Sequence, residues 1–237
     1  MAIWDSIKYD FLDFINKHNI NTFGEFHEAL KKEDKNTKGN YFEYFCKLYF
    51  ILEFYHKSNY KDFCLYSEIP EETIKKHKLP TKDKGIDAIV KDNNNNTYAI
   101  QVKYRKNINN SIPFGELCSF PALSFGSQVS DIYKGIFFTS CIDVCDELKN
   151  DKYDNITYLN FEKCDEEFWN IFREFIRDDK YKKYFLSNEQ QWLDNLNEVK
   201  KYIDNNNKKP SHHNKKGKNT LGMWLSHQIT YSNKEYG

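Results

Sequence analysis

The sequence predicts an α/β fold, in which a mixed central sheet is flanked by helices and followed by a small all-α C-terminal domain. Two apolar strands surround an Asn-rich stretch at residues 93–96, and this pattern is typical of a β-hairpin. Further strand patterns at 63–69, 134–140 and 156–159 alternate with helical ones, which favours a sheet covered by helices. From residue 187 onward only helical spacing remains.

Length and composition fit this fold. The 237 residues suffice for one medium domain and a small one. Aromatic residues make up 17% of the chain, which favours a packed globule, and the mean hydropathy of −0.83 indicates a soluble protein. No apolar run approaches the roughly 18 residues that span a bilayer, so we expect no membrane association. The N-terminus mixes charges with apolar residues, unlike a secretory signal.

The six cysteines form no CxxC pair, and we expect reduced thiols. Cys141 and Cys145 are not followed by a Cys or His pair at zinc-like spacing, which argues against a zinc site. Cys46 and Cys64 lie within apolar patterns and are expected to pack as small hydrophobic residues.

The N-terminal third predicts three helices. Residues 2–17 carry a helical apolar stripe, and 22–32 form a second helix whose capping box is Thr22 with Glu25. His18 and His27 are expected at the surface.

A charged linker over 31–38 then precedes a third helix, 41–55, capped by Asn40. Its buried stripe is Phe42, Phe45, Tyr49 and Leu52, and Glu43 falls in its first turn, where the helix dipole favours an anion.

The later elements follow in order. The first core strand is 63–69, and a polar, lysine-rich loop over 70–84 leads to the hairpin. A helix over 111–127 is interrupted near Pro121. An aromatic helix over 165–185 follows the last strand.

The hairpin carries the polar residues with chemical meaning. If its loop centres on Asn95, Asp87 lies opposite Lys103 and Ile89 lies opposite Gln101. A carboxylate, an amide oxygen and an ammonium group then share one face, whereas a one-residue shift sends Asp87 to the other. Mg²⁺ takes such oxygen ligands, and a neighbouring lysine stabilises the charge of a transition state. An ordinary ion pair of Asp87 with Lys103 is the simpler alternative.

The same residues carry a family resemblance. Asp87, followed by Gln101-Val102-Lys103, resembles the D…QxK variant of the PD-(D/E)xK nuclease motif that is found in Mrr-like restriction endonuclease domains. Residues 38–43, KGNYFE, resemble the KGxxFE helix start of that family, and 135–140, GIFFTS, its next core strand. The resemblance spans about residues 20–160 and implies a restriction-endonuclease-like core.

The resemblance also implies the roles of the site residues. Asp87 would be the principal ligand of Mg²⁺ or Mn²⁺, and the amide oxygen of Gln101 and the carbonyl of Val102 would complete the inner shell. Lys103 would position the hydrolytic water and stabilise negative charge. Glu43 would bind a second ion or a water of the first ion's shell.

Basic residues around the hairpin are candidates for DNA binding. In the family pattern the loop before Asp87, which ends at Lys84, lies beside the DNA. Tyr104, Arg105 and Lys106 extend the basic end of the second hairpin strand and are expected to contact phosphates.

The tail has a resemblance of its own. Residues 187–236 carry a W…L…Y…P…LGxWLxxQ…Y arrangement that resembles the helicase-associated domain, with Trp192, Leu221 and Trp224 as core. We therefore assign 1–186 to a nuclease-like domain with an N-terminal helical extension, 1–35, and 187–237 to a helical DNA-binding domain. The expected DNA contacts of the tail are Lys208, Lys209, Lys215 and Lys216.

Two hypotheses of different classes follow. The first is a Mg²⁺-dependent DNA endonuclease with a basic helical tail, acting as a homodimer if it cuts both strands. The alternative is a non-catalytic DNA-binding module acting with a separate helicase, because the chain contains no GxxxxGK[ST] phosphate loop. RNA as the substrate is a third option. Each implies an intracellular, soluble protein, in the cytoplasm or another DNA-containing compartment.

Overall fold

The computed structural model describes residues 3–57, 60–80, 85–126, 131–149, 154–159, 164–177, 188–211 and 221–235. The chain divides into two compact units, Met1–Asp178 and Asp179–Gly237. The helices of the first unit are α1 (Ile3–Lys17), α2 (Phe23–Leu30), α3 (Lys35–Lys57), α4 (Glu71–His77), α5 (Phe114–Leu117), α6 (Ser119–Phe125) and α7 (Glu166–Arg177). Its strands are β1 (Tyr60–Leu65), β2 (Ala88–Asp92), β3 (Thr97–Lys103), β4 (Ile132–Thr139) and β5 (Ile156–Leu159).

The described strands form one five-stranded sheet in the order β1-β2-β3-β4-β5. β1, β2 and β3 are antiparallel neighbours, whereas β3, β4 and β5 are parallel. The predicted mixed sheet flanked by helices is therefore confirmed.

Two layers of side chains enclose this sheet. On one side, Phe138 of β4 lies with its ring centroid 5.5 Å from Phe42 and 6.1 Å from Phe45, both of α3. On the other side, Phe137 packs at 4.7 Å against Phe120 of α6. Because neighbouring residues of a strand point to opposite faces, these two phenylalanines define an α3 face and an α6 face of the sheet.

The helix that carries Glu43 begins earlier than expected. α3 starts at Lys35, because the carboxylate of Asp34 caps it by accepting hydrogen bonds from the backbone N–H groups of Asn36 (2.8 Å) and Thr37 (3.2 Å). The predicted linker over 31–38 and the predicted cap at Asn40 are therefore wrong. Glu43 lies in the helix interior and not in the first turn. The expected buried stripe, by contrast, is confirmed.

The hairpin register also differs from the prediction. The ladder pairs Ala88 with Ile100 and Ile89 with Ala99, so Ile89 does not lie opposite Gln101. The loop centres one residue earlier, because the Asp92 side chain accepts from the backbone N–H groups of Asn94 (2.8 Å) and Asn96 (2.9 Å). Asp87 consequently lies beside residues 100–102 and not opposite Lys103.

Several other boundaries shift as well. β1 ends at Leu65 and continues as a 3-10 turn, Tyr66–Glu68. The predicted loop over 70–84 contains α4, and its last residues lie outside the described part. The helical break expected near Pro121 falls at Cys118 instead, since proline is tolerated in the first turn of α6.

The second unit contains α8 (Asn188–Asn206) and α9 (Leu221–Glu235). The rings of Trp192 and Trp224 lie 6.0 Å apart, and the indole N–H of Trp192 donates to Gln228 Oε1 at 2.9 Å. Trp192 is 41% exposed, so it is not the plain core residue that its pattern predicted.

Across the described residues, no helix has the length and apolar character that a membrane crossing requires.

Candidate active site

Asp87 directly precedes β2 and is tied to the middle of the sheet. Its backbone N–H donates to the carbonyl of Ile100, and its own carbonyl accepts from the N–H of Tyr66, both at 2.8 Å. The carboxylate oxygen Oδ2 accepts from the backbone N–H of Val102 at 2.6 Å. A short hydrogen bond from a rigid backbone donor fixes the direction of this carboxylate.

Gln101 lies in β3, is 1% exposed, and belongs to the α6 face because its strand partner is Phe137. Its Oε1 atom is buried and has no hydrogen-bond partner among the described residues. A buried acceptor without a partner costs about 1–3 kcal/mol. Natural structures rarely carry that cost unless something else satisfies the oxygen.

A glycine shapes the surroundings of Gln101. Gly85 adopts a positive φ of +107°, and a Cβ atom added there would lie 3.2 Å from Gln101 Nε2. The same Cβ would meet Leu123 Cδ1 at 3.4 Å and Ser119 Oγ at 3.5 Å. Only glycine lets this backbone pass so close to the amide while holding that φ.

Lys103 ends β3 with its side chain partly exposed. Among the described residues it forms no ion pair, so the ordinary cross-strand pair with Asp87 is not formed. Its strand partner is Thr139, two residues beyond Phe137, so Lys103 belongs to the α6 face like Gln101. Within the described part of the chain, no carboxylate therefore forms an ion pair with its ammonium group.

Glu43 and Asp87 act on one buried thiol. Burial raises the pKa of Cys46 of α3, and the negative charges of Asp87 and then Glu43 raise it further. Both carboxylates therefore lie near Cys46 of α3. Asp87 is also held at β3, because its carboxylate accepts from the N–H of Val102, the residue between Gln101 and Lys103.

The segment that follows Lys103 is strongly held. Arg105 contacts Glu116 of α5 through its guanidinium group, and its backbone N–H donates to Ser140 Oγ at 2.7 Å. Tyr104 packs against Phe42 at 5.6 Å; its hydroxyl is buried without a described partner, and burial raises its pKa to about 12. A buried hydroxyl cannot reach a phosphate, so we omit Tyr104 from the proposed DNA contacts.

His27 is the second residue that holds this segment, and its predicted surface position is wrong. It is 3% exposed, and its Nε2 lies 3.0 Å from the carbonyl oxygen of Arg105. Because a carbonyl only accepts, Nε2 must carry the proton. Burial lowers the pKa of His27 despite this hydrogen bond, so the neutral ring is favoured.

Of the remaining residues predicted to contact DNA, three are exposed and three lie outside the described part of the chain. Lys106, Lys208 and Lys209 are exposed, which leaves them available to phosphates. Lys84, Lys215 and Lys216 lie outside the described residues.

A comparison with protein families identifies the central segment. Residues 53–154 match the family model of the Mrr catalytic type that is described as a restriction endonuclease. The matched segment includes Asp87, Gln101 and Lys103. By this match, residues 53–154 form a domain that is similar to restriction endonucleases.

This domain assignment confirms the predicted restriction-endonuclease-like core and supports a nuclease or DNA-related function. The match covers less than half of the chain and begins after Glu43. No curated protein shows a significant match. A solved structure that shows similarity is "ATP-dependent Type ISP restriction-modification enzyme LlaBIII bound to DNA", at 21% identity and a TM-score of 0.41. The alignment covers 56% of this chain and 8% of that one, so the chain spans under a tenth of that protein's length.

An ion pair that the sequence did not predict joins α3 to the 3-10 turn Tyr66–Glu68. Lys47 Nζ lies 2.7 and 2.8 Å from the two carboxylate oxygens of Glu68, and Lys47 is almost fully buried. Glu68 also accepts from the N–H of Leu65 at 3.1 Å, which fixes the 3-10 turn beside Asp87. The signal was a single lysine inside the otherwise apolar run YFCKLYF.

The described residues contain no metal site built only from His, Cys, Asp and Glu side chains. No group of three or more His, Cys, Asp or Glu side chains there could hold an ion. A metal at Asp87 would therefore depend on neutral oxygens, and Gln101 Oε1 is a buried one without a partner. The residues present fit a hard divalent cation on this ground.

Proposed function

We propose that this chain is a DNA endonuclease that hydrolyses phosphodiester bonds and depends on Mg²⁺ or Mn²⁺. One observation carries the proposal: the buried, unpartnered Oε1 of Gln101 is one residue away from the N–H group that orients the Asp87 carboxylate. A carboxylate and an amide oxygen are ligands that hard divalent cations prefer.

Each residue has a role in this proposal. Asp87, Gln101 Oε1 and the carbonyl of Val102 would hold the cation, which when bound polarises the phosphate and lowers the pKa of water. Lys103 would hold the attacking water and stabilise the charge that develops on the phosphate. Glu43, grouped with Asp87 around Cys46, would attract a second cation.

The test compares the wild type with Asp87→Asn, which keeps the hydrogen-bond acceptor and removes the charge. We expect divalent-dependent cleavage of duplex DNA to fall by about 100-fold or more, because loss of a metal ligand removes several kcal/mol of transition-state stabilisation. DNA affinity without metal should stay the same or rise, since one repulsive charge is gone.

The matched control is Asp143→Asn, which removes a carboxylate that pairs at the surface with Lys149 at 2.7 Å. This variant should cleave like the wild type. The proposal is wrong if the wild type binds DNA but cleaves no form of it with either Mg²⁺ or Mn²⁺.

The second candidate function is a DNA-binding module without catalysis that acts with a separate helicase. It is favoured by the position of Glu43 on α3, which packs on one face of the sheet, whereas Gln101 and Lys103 belong to the α6 face. Metal titration by calorimetry separates the two candidates, because only the nuclease should bind Mg²⁺ in a manner that Asp87→Asn abolishes. Replacing the DNA by RNA of the same sequence tests the third option.

We also propose that residues 187–237 are a helicase-associated DNA-binding domain. Exposed Lys208 and Lys209, which follow α8, support a phosphate-binding role. A homodimer would allow both strands to be cut, and sedimentation at several concentrations, with and without DNA, would detect it.

A further inference from the structure

The backbone that leaves β3 must be rigid if Lys103 is to act on a phosphate. An ammonium group on a flexible four-carbon stem is aimed by the backbone that carries it. The sheet cannot supply this rigidity alone, because the β3–β4 ladder ends at the pair of Lys103 with Thr139.

Ser140 directly follows β4 and forms hydrogen bonds to the backbone beyond the end of the ladder. Its backbone N–H donates to the carbonyl of Lys103 at 3.2 Å. Its hydroxyl accepts from the N–H of Arg105 at 2.7 Å and donates to the carbonyl of Arg105 at 3.1 Å. A hydroxyl can accept and donate at once, so one fully buried side chain satisfies both polar groups of Arg105.

The carbonyl of Arg105 has a second donor. His27 of α2 approaches the same oxygen at 3.0 Å, so both lone pairs of the carbonyl are used. Two elements that are distant in the sequence therefore hold one peptide group, two residues beyond Lys103.

We propose that Ser140 is a positioning residue for Lys103, with His27 as its second anchor; this rests on the nuclease function proposed above. Ser140 contacts neither substrate nor metal in this proposal. It acts by fixing the path of residues 103–105, and through that path the direction of the lysine side chain.

If Ser140 only stabilised the fold, removing its hydroxyl should affect catalysis no more than removing a neighbouring buried hydroxyl. Thr139 provides that neighbouring hydroxyl. Thr139 Oγ1 accepts from the N–H of Cys141 at 3.0 Å and is equally buried, but it makes no hydrogen bond to residues 103–105. Ser140→Ala and Thr139→Val each remove one buried hydroxyl at the same strand end.

The experiment measures kcat, KM and thermal stability of the full chain for the wild type and both variants, on duplex DNA with Mg²⁺. For Ser140→Ala we expect kcat to fall by about 10- to 100-fold, because small misplacements of a reacting group have effects of this size. KM and the Mg²⁺ half-saturation should change by less than about twofold, since uniform binding is untouched. Thr139→Val should keep the wild-type kcat even if its Tm falls as much as that of Ser140→Ala.

The two proposals can fail separately. If the wild type cleaves DNA and Ser140→Ala keeps the wild-type kcat, the positioning role is wrong while the nuclease function stands. The same holds if both variants lose kcat in proportion to their loss of Tm. If the wild type cleaves nothing with Mg²⁺ or Mn²⁺, the nuclease function falls, and the positioning role falls with it.

Discussion

Gly85 offers the sharpest test of how the fold shapes the site. We expect Gly85→Ala to destabilise the protein by about 2 to 3 kcal/mol. Most of this comes from the backbone, because holding a residue with a Cβ at a φ of +107° is strained, at a cost of about 1–3 kcal/mol. The new methyl group adds a tight contact, 3.2 Å from Gln101 Nε2, that requires the amide to shift.

The assay is urea unfolding followed by circular dichroism, with the free energy of unfolding obtained by linear extrapolation. Gly39→Ala is the matched control: Gly39 lies within α3, and its added Cβ would meet no atom within 4 Å. Alanine in a helix interior is more favourable than glycine by roughly 0.5–1 kcal/mol, so this variant should gain stability.

The two substitutions are therefore expected to have opposite signs. The reasoning is refuted if Gly85→Ala loses less than about 0.5 kcal/mol, the range of an ordinary surface change. It is also refuted if the free energy of unfolding changes in the same direction in both variants. If the nuclease proposal holds, Gly85→Ala should also raise the Mg²⁺ half-saturation, because the displaced amide is a proposed ligand.

Three further predictions concern charge. Lys47→Met should lower the free energy of unfolding in urea by about 2 to 3 kcal/mol, which is somewhat below the range for a fully buried pair because Glu68 is partly exposed. Adding Glu68→Gln should recover part of this loss. Burial lowers the pKa of His27, so the unfolded chain binds more protons than the folded one, and the free energy of unfolding should decline as pH falls below about 6.5. In urea unfolding measured across pH, His27→Gln should remove this contribution to the decline. Lys208→Gln and Lys209→Gln should each reduce the slope of log affinity for duplex DNA against log salt by about 1, with little effect on unfolding; an unchanged slope would exclude these lysines from the interface.

The hairpin shows how far the sequence could predict the site. Alternation of apolar and polar residues was enough to place β2 and β3, and to group Gln101 with Lys103. Four consecutive asparagines, however, are equivalent by turn propensity and leave the loop centre open by one residue. The register is decided by the Asp92 side chain, whose hydrogen bonds to the tip are not encoded in periodicity.

The other errors have the same physical origin. Asp34 and Asn40 are both good caps, and Gly39 between them suggests a break that the packed helix α3 overrides. His27 looks like a surface residue on a short helix, because its partner is a carbonyl 78 positions away. Ser140 follows a strongly apolar strand, and its hydrogen bonds to Arg105 arise only when β3 and β4 pair.

The neutral amide at position 101 follows from its surroundings as much as from its chemistry. The side chain is 1% exposed and close to Gly85, where a carboxylate would lose its hydration and face the charge of Asp87. An amide offers a cation the same kind of oxygen without that cost before the cation binds. The consequence is weaker attraction for the ion, because one negative charge is missing from the inner shell. A site of this kind should therefore need millimolar Mg²⁺, and it should depend more on rigid geometry, such as the hold of Ser140 on the end of β3, than on accumulated charge.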